Sequence, residues 1–389
     1  MELEELLGTI ANGEDSKHQF KSNIKHPETL SKEIVAFSNS DDGGTIIIGV
    51  TDQGEISGLN TDDVIRINQH ISNAISQHVK PINHRITTQT FSLKLGKLII
   101  VFVPIGLNKP YMDKNHQIYK KIGSDTIKVS SREEIIRLYQ RAGLAKTDAS
   151  LVDDATMADI DRTFFSKFFI KEYGERIEDQ NISLKQLLEN MKLASDGTLN
   201  YCGVLLFALK PQNLLPVFNL KAVAFFGNDI TDTNYIDSKD FNGKLIDIYQ
   251  QAVSFVLSNI HHVQKDQCFN SVGIPEIPRN VIQELITNAL IHRDYFIRSP
   301  IKLFVFKDRI EIISPGHLPN KLTVANIKMG ISVARNPLLY SFAPKILYRG
   351  LGSGILRSLK EYPNIEFEDH REGNLFKAII KRVPIQKNN

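Results

Sequence analysis

Between Arg279 and Tyr295 the chain carries a pattern that fits one local structure. Val281, Ile282, Leu285, Ile286, Ala289 and Leu290 recur at intervals of three and four residues, the period of a helix with one buried face. Pro278 stands just before it, where a helix tolerates proline. Glu284, Asn288 and His292 are each four apart, so they form a single line along that helix. A carboxylate, a carboxamide and an imidazole in one line on an apolar helix suggest a site. The spacing alone fits a polar edge on a core helix equally well.

The segments that follow add to this. Ile301–Phe306, a turn at Lys307-Asp308-Arg309 and Ile310–Ile313 predict a β-hairpin. Ser314-Pro315-Gly316-His317-Leu318-Pro319 is too rich in proline and glycine to continue as strand, so the hairpin is predicted to end there. Further on, Arg349-Gly350-Leu351-Gly352-Ser353-Gly354-Ile355 alternates glycines ahead of an apolar run. Such glycines let backbone amides approach an anion closely. It lacks the lysine of a P-loop and the strand-then-helix setting of a dinucleotide fold.

In this order the three segments resemble the ATP-binding fold shared by gyrase, the heat-shock chaperone, histidine kinases and mismatch-repair proteins (the GHKL superfamily). Glu284-x-x-x-Asn288-Ala289-x-x-His292-Arg293-Asp294-Tyr295, Ser314-Pro315-Gly316-x-Leu318-Pro319, Arg335-Asn336-Pro337 and Gly352-Ser353-Gly354 resemble its divergent branch, often labelled RecG-like or "divergent AAA". The resemblance implies a Bergerat-type α/β sandwich that binds ATP and Mg²⁺. It makes Glu284 the base that orients or deprotonates the attacking water. It makes Asn288 the Mg²⁺ ligand, and Gly350, Gly352, Ser353 and Gly354 the lid over the phosphates. His292, Ser314, Gly316, Arg335 and Asn336 complete the nucleotide-binding set. Hard cations take oxygen ligands and keep much of their water, which suits such a site. Ser314 aligns where the superfamily usually has an aspartate that accepts from the adenine amine, a departure that bears on base selectivity.

With 389 residues the chain has room for two or three domains. Its 42% hydrophobic and 23% charged residues are ordinary for a globular protein. No apolar run approaches a membrane span, and the acidic start Met1-Glu2-Leu3-Glu4-Glu5 has no signal-peptide pattern. Cys202 and Cys268 are the only cysteines, which excludes a disulfide framework and fits a cytoplasmic protein. A net charge of +3 does not by itself imply a nucleic-acid partner.

Ahead of the central helix the pattern predicts helices near Met1–Gly13, Glu28–Asn39, Val64–His78, Ser131–Gln140 and Ile182–Leu193, and a long one over Asn242–His262. Strands are predicted at Thr45–Val50, Leu98–Pro104, Ile118–Ser124 and Lys221–Phe226. His261-His262 is read as two histidines on that last helix, pointing apart and unsuited to share an ion.

Phe20-Lys21, Ala36-Phe37-Ser38-Asn39, Gly43–Val50 and Lys121-Ile122-Gly123-Ser124 together resemble the Schlafen/AlbA domain. The resemblance implies nucleic-acid binding, for which Lys21, Lys120, Lys121 and Lys128 are read as a basic surface, a pattern that scattered solvated lysines fit equally well. It also places a Schlafen-type metal-dependent nuclease site at Glu14, Gln19 and Asp52. Gln19 departs from it, because an amide is a poor substitute for a carboxylate on a divalent cation. Tyr111 and Tyr119 are read as stacking partners beside the lysines.

The expected protein is α/β (α+β), with a Schlafen/AlbA-like domain at 1–142, a mixed connecting region at 143–267 and a GHKL-like domain at 268–389. Its expected function is that of an ATP-binding, slowly hydrolysing, nucleic-acid-associated regulator or defence-type protein. Mg-ATP closes the lid and drives homo-oligomerisation, with no membrane partner. The rivals are an ATP-regulated metal-dependent nuclease and a non-enzymatic transcription regulator with a decayed ATP site.

Overall fold

A computed structural model describes residues 2–141, 144, 146–263, 273–319, 322–347 and 354–383. The chain divides into two compact units, Met1–Ala145 and Lys146–Asn389. Among the described residues no helix is long and apolar enough to cross a membrane.

The first unit starts with α1 (Leu3–Asn12), β1 (His18–Lys21), α2 (Pro27–Asn39), β2 (Gly44–Ile48) and α3 (Thr61–Asn73). A hairpin follows, β3 (Thr87–Leu93) and β4 (Gly96–Val103), then a second, β5 (Tyr119–Ile122) and β6 (Asp125–Lys128), and α4 (Arg132–Arg141). The main sheet has the order β1-β2-β4-β3. Its β1–β2 pair is parallel and the others antiparallel. Ile46, Ile47 and Ile48 are all fully buried, because both faces of β2 are covered. Leu6, Ile10 and Phe20 pack on one face, and Leu30, Ile34, Phe37 and Ile71 on the other. The helix predicted over Val64–His78 is α3 followed by one π-helical turn at Ala74–His78.

In the second unit α5 (Arg162–Tyr173) and α6 (Tyr201–Phe207) precede β7 (Leu220–Phe225), β8 (Tyr235–Phe241) and α7 (Leu245–Ser258). The central helix is α8 (Arg279–His292). After it come β9 (Ile301–Val305), β10 (Arg309–Pro315), α9 (Val324–Lys328), α10 (Pro337–Ile346), α11 (Gly354–Glu361), β11 (Ile365–His370) and β12 (Leu375–Lys381). One six-stranded sheet runs β8-β7-β9-β10-β12-β11. The strands of residues 220–241 and 301–381 therefore share a sheet, through parallel pairing of β7 with β9. Helices α7 and α8 pack with this sheet in one core, where Val281, Ile282, Leu285 and Ile286 meet Val253, Val256, Ile310 and Ile312. Each such side chain, when fully buried, contributes about 1.5–3 kcal/mol.

Two local expectations are corrected. The helix over Asn242–His262 is shorter and stops at Ser258, and His262 instead pairs with Pro275 in a two-residue ladder. Apolar residues recur at helical spacing as far as Ile260, which lies four beyond Val256, so periodicity alone could not mark where the helix ends. Strand β10 does not stop where its pairing with β9 ends at Ile313, because Ser314 and Pro315 still pair with Phe376 and Leu375 of β12. Proline lacks a donor but keeps its carbonyl, and that of Pro315 accepts from the Asp294 amide at 2.7 Å.

Candidate functional site

In the second unit α8 forms one wall of a cavity floored by the sheet. The polar line Glu284, Asn288 and His292 faces that cavity, with Ile312, Ser314, Phe376 and Ala378 from the strands. Tyr340 of α10 and Gly354 of α11 close other sides. The lining is mostly apolar, as a flat heterocycle requires, and its polar groups are few and concentrated on α8.

Glu284 is only 8% exposed. Its Oε1 accepts from Asn288 Nδ2 at 3.2 Å, while the buried Oε2 has no partner among the described residues. Burial raises its carboxyl above the usual range, against the opposing pull of Asn288 and the Arg357 guanidinium. A buried carboxylate with one unsatisfied oxygen is costly to a fold unless a ligand uses it. With its amide nitrogen committed to Glu284, Asn288 keeps its carbonyl oxygen as a hard donor. One wall of the cavity therefore carries two hard-oxygen groups one helical turn apart, which fits a hydrated Mg²⁺ beside phosphates.

His292 ends the line. Burial, aided by the Arg335 guanidinium, pushes its imidazole down to about 4, so it is neutral at physiological pH. Its ring lies 5.9 Å from that of Tyr340. Ser314 is buried, and its Oγ donates to the Ala289 carbonyl at 3.0 Å. The hydroxyl proton is thus fixed toward α8, and the oxygen lone pairs remain acceptors on the cavity side.

Gly316 has φ of +100°, and a Cβ there would lie 2.5 Å from Asp294 Cβ and overlap Arg335 Nη1. Arg335 and Asn336 are engaged with backbone at the end of α8. Arg335 Nη1 donates to the His292 carbonyl at 3.3 Å, and Nη2 to that of His317. Asn336 Nδ2 donates to Ile291 and Arg293 carbonyls, each at 2.8 Å. These two side chains thereby tie α8 to the loop before α10 and satisfy the orphan carbonyls of a helix C-terminus. Gly350, Gly352 and Ser353 lie outside the described residues. Gly354 opens α11 and is pressed against Glu284, where a Cβ would overlap the carboxylate.

Glycine spacing did not point to Arg357, which lies one turn beyond Gly354. Only its helical offset from the glycine marks it in the sequence.

In the first unit Glu14 and Gln19 meet. Glu14 Oε1 accepts from Gln19 Nε2 at 2.5 Å and from the Phe20 amide at 2.6 Å. Lys121 Nζ donates to Gln19 Oε1 at 2.5 Å, and also to the Ser124 carbonyl. It lies 3.9 Å from Glu33, a residue the motifs did not single out, and 5.2 Å from the Phe37 ring centroid. The Lys121 side chain is 2% exposed, and burial lowers its ammonium below the usual range. Lys21 is 3.9 Å from Glu33, and Lys120 pairs with Glu134. Asp52 sits in the exposed turn Thr51–Gly54, and none of the hydrogen bonds around Glu14 and Gln19 involves it. Among the described residues no cluster of three or more His, Cys, Asp or Glu side chains has metal-binding geometry. Tyr111 and Tyr119 are buried in the core, which corrects their reading as stacking surface. Both belong to the cluster that contains Leu30, Ile34, Val35 and Phe37 of α2.

Residues 14–130 match the family model of the Schlafen AlbA_2 domain. Residues 298–380 match the family described as "Putative ATP-dependent DNA helicase recG C-terminal", of HATPase type. The chain thus joins a Schlafen/AlbA_2 domain to a RecG-like HATPase domain, one from a nucleic-acid-associated family and one ATPase-like. A search of curated proteins gave no match. Among solved structures, the DIP2311 protein of Corynebacterium diphtheriae is 19% identical, with a TM-score of 0.47 over 98% of this chain and 80% of that one. The N-terminal domain of a RecG-related protein described as a putative ATP-dependent DNA helicase, from Nitrosomonas europaea, is 21% identical. It covers 33% of this chain and 90% of that one, with a TM-score of 0.24.

Proposed function

We propose that the second unit binds ATP with Mg²⁺ in the cavity beside α8, and that the protein is a nucleotide-dependent, nucleic-acid-associated regulator. One observation carries this reading: a buried carboxylate, Glu284, has an oxygen without a partner among the described residues, beside the Asn288 amide at the wall of an apolar cavity. The HATPase-type match over 298–380 supports it. The base occupies the apolar part, where Ser314 offers acceptor lone pairs. Asn288 supplies an oxygen ligand to the cation that accompanies the phosphates. Glu284 orients the water that attacks the terminal phosphate, and a carboxyl raised by burial is a stronger base than an exposed one. Hydrolysis is slow, and closure of 350–354 over the phosphates drives self-association. The first unit provides the nucleic-acid contact, in line with its family match.

Binding of ATP and GTP by the purified protein, with and without Mg²⁺, tests this. Mg²⁺-dependent ATP binding that is lost in Asn288→Ala supports the assignment. ATP binding unaffected by that substitution and by metal removal would overturn it.

The nuclease reading is disfavoured by the neutral Gln19, which bridges Glu14 to a buried ammonium rather than offering an anionic ligand.

A further inference from the structure

Glu284 borders two hollows. On one side is the apolar cavity described above, whose lining contains no lysine or arginine among the described residues. On the other is a polar hollow formed by Asn280 and Glu284 of α8 and by Gly354, Arg357, Ser358 and Lys360 of α11, with Glu361 at its rim. Resting on the nucleotide reading of the cavity, we propose that Arg357 and Lys360 bind the terminal phosphate and make the site selective for the triphosphate over the diphosphate.

Charge balance is the first argument. A nucleoside triphosphate carries about four negative charges, and a single Mg²⁺ offsets two of them. Among its described residues the apolar cavity offers no lysine or arginine for the rest. Arg357 and Lys360 are the cations of the adjoining hollow, three residues apart and therefore on one face of α11. Neither is ion-paired among the described residues. The hollow's other carboxylate, Glu361, accepts from Asn280 Nδ2 and is already engaged.

Geometry is the second argument. Gly354 is packed on the Glu284 carboxylate, so the start of α11 and the proposed water-orienting group are in contact. Arg357 stands one turn on, close enough that its charge acts on Glu284. A phosphate lying next to Glu284 is therefore within the same charged neighbourhood as Arg357. The base and ribose lie on the far side of Glu284, so the end of the tail is the part that meets α11. A guanidinium suits this role, because its fork matches phosphate oxygens in pairs.

The test is a comparison of Mg-ATP and Mg-ADP affinities by calorimetry for the parent, Arg357→Ala and Lys360→Ala. Arg357 and Lys360 sit at the surface, and thermal midpoints confirm that each variant is folded. The parent is expected to prefer ATP, and Arg357→Ala to weaken ATP binding roughly tenfold while leaving ADP within about twofold. Lys360→Ala shifts ATP in the same direction by less. If Arg357 serves only as a counter-charge to Glu284, its removal changes ATP and ADP affinity alike, and the proposal falls. It falls equally if the parent binds the two nucleotides with the same affinity. A parent that binds neither nucleotide removes the nucleotide reading itself, an outcome distinct from the other two.

Discussion

Gly354 lies directly on the carboxylate of Glu284, so that a single added methyl on the glycine would overlap the side chain. This contact joins the start of α11 to the middle of α8, two elements whose sequences lie about seventy residues apart.

Gly354→Ala is therefore expected to lower stability by about 1–3 kcal/mol through overpacking and to reduce nucleotide affinity, because Glu284 or α11 must shift. Gly8→Ala is the matching control. A Cβ on Gly8 meets nothing within 4 Å, and its position in α1 favours alanine by up to about 1 kcal/mol. Denaturant titrations that gave the two substitutions the same sign would refute the packing argument.

Glu284→Gln is expected to stabilise the protein at neutral pH while abolishing hydrolysis. Burial raises the folded carboxyl above its ordinary value of 4.5. Below 4.5 the group is protonated in the folded and unfolded chain alike, so its burial adds no pH-dependent cost there. As pH rises through the raised folded value, the charged carboxylate must be buried and the parent loses stability. The variant's advantage should thus grow from about pH 4.5 upward and then level off. Melting temperatures of both proteins across pH 4 to 8 would show it, and an advantage that shrank with rising pH would contradict it.

Ser314→Ala removes the hydrogen bond to the Ala289 carbonyl and the acceptor facing the cavity. It should cost about 1 kcal/mol of stability and weaken ATP several-fold more than GTP. Equal weakening of both nucleotides in a competition assay would mean that Ser314 does not read the base.

In the first unit Lys121→Ala strands the Gln19 amide oxygen in a buried setting and removes a cation from beside Glu33. A loss of about 1–3 kcal/mol is expected, read by thermal unfolding of the full chain. Gln19→Glu places a second carboxylate beside Glu14 and against Lys121. It should bring stabilisation by Mn²⁺ that the parent lacks, because two carboxylates make a cation site where a carboxylate and an amide do not. A Mn²⁺ shift as large in the parent would show that the native pair already holds metal.

The residues of α8 announced themselves. A three-and-four spacing of apolar side chains fixes a helix and its buried face, and a four-residue spacing puts Glu284, Asn288 and His292 on one line. The hairpin of β9 and β10 was equally legible from its turn, apart from the two residues by which β10 runs on beside β12. Such features depend on neighbours within a few residues, and the sequence by itself determined them.

What each side chain does at the site depended on partners distant in the chain. Gln19 meets Lys121 across a separation of 102 residues. Arg335 and Asn336, nucleotide-binding candidates by their motif, hold the end of α8, 43 to 45 residues away. Tyr111 and Tyr119 moved from expected surface to core. Strands of the connecting stretch joined the C-terminal sheet, and Arg357 came to stand beside Glu284. None of these relations has a period or a local signature. They arise when sheets close and helices pack, so only the tertiary structure decided them.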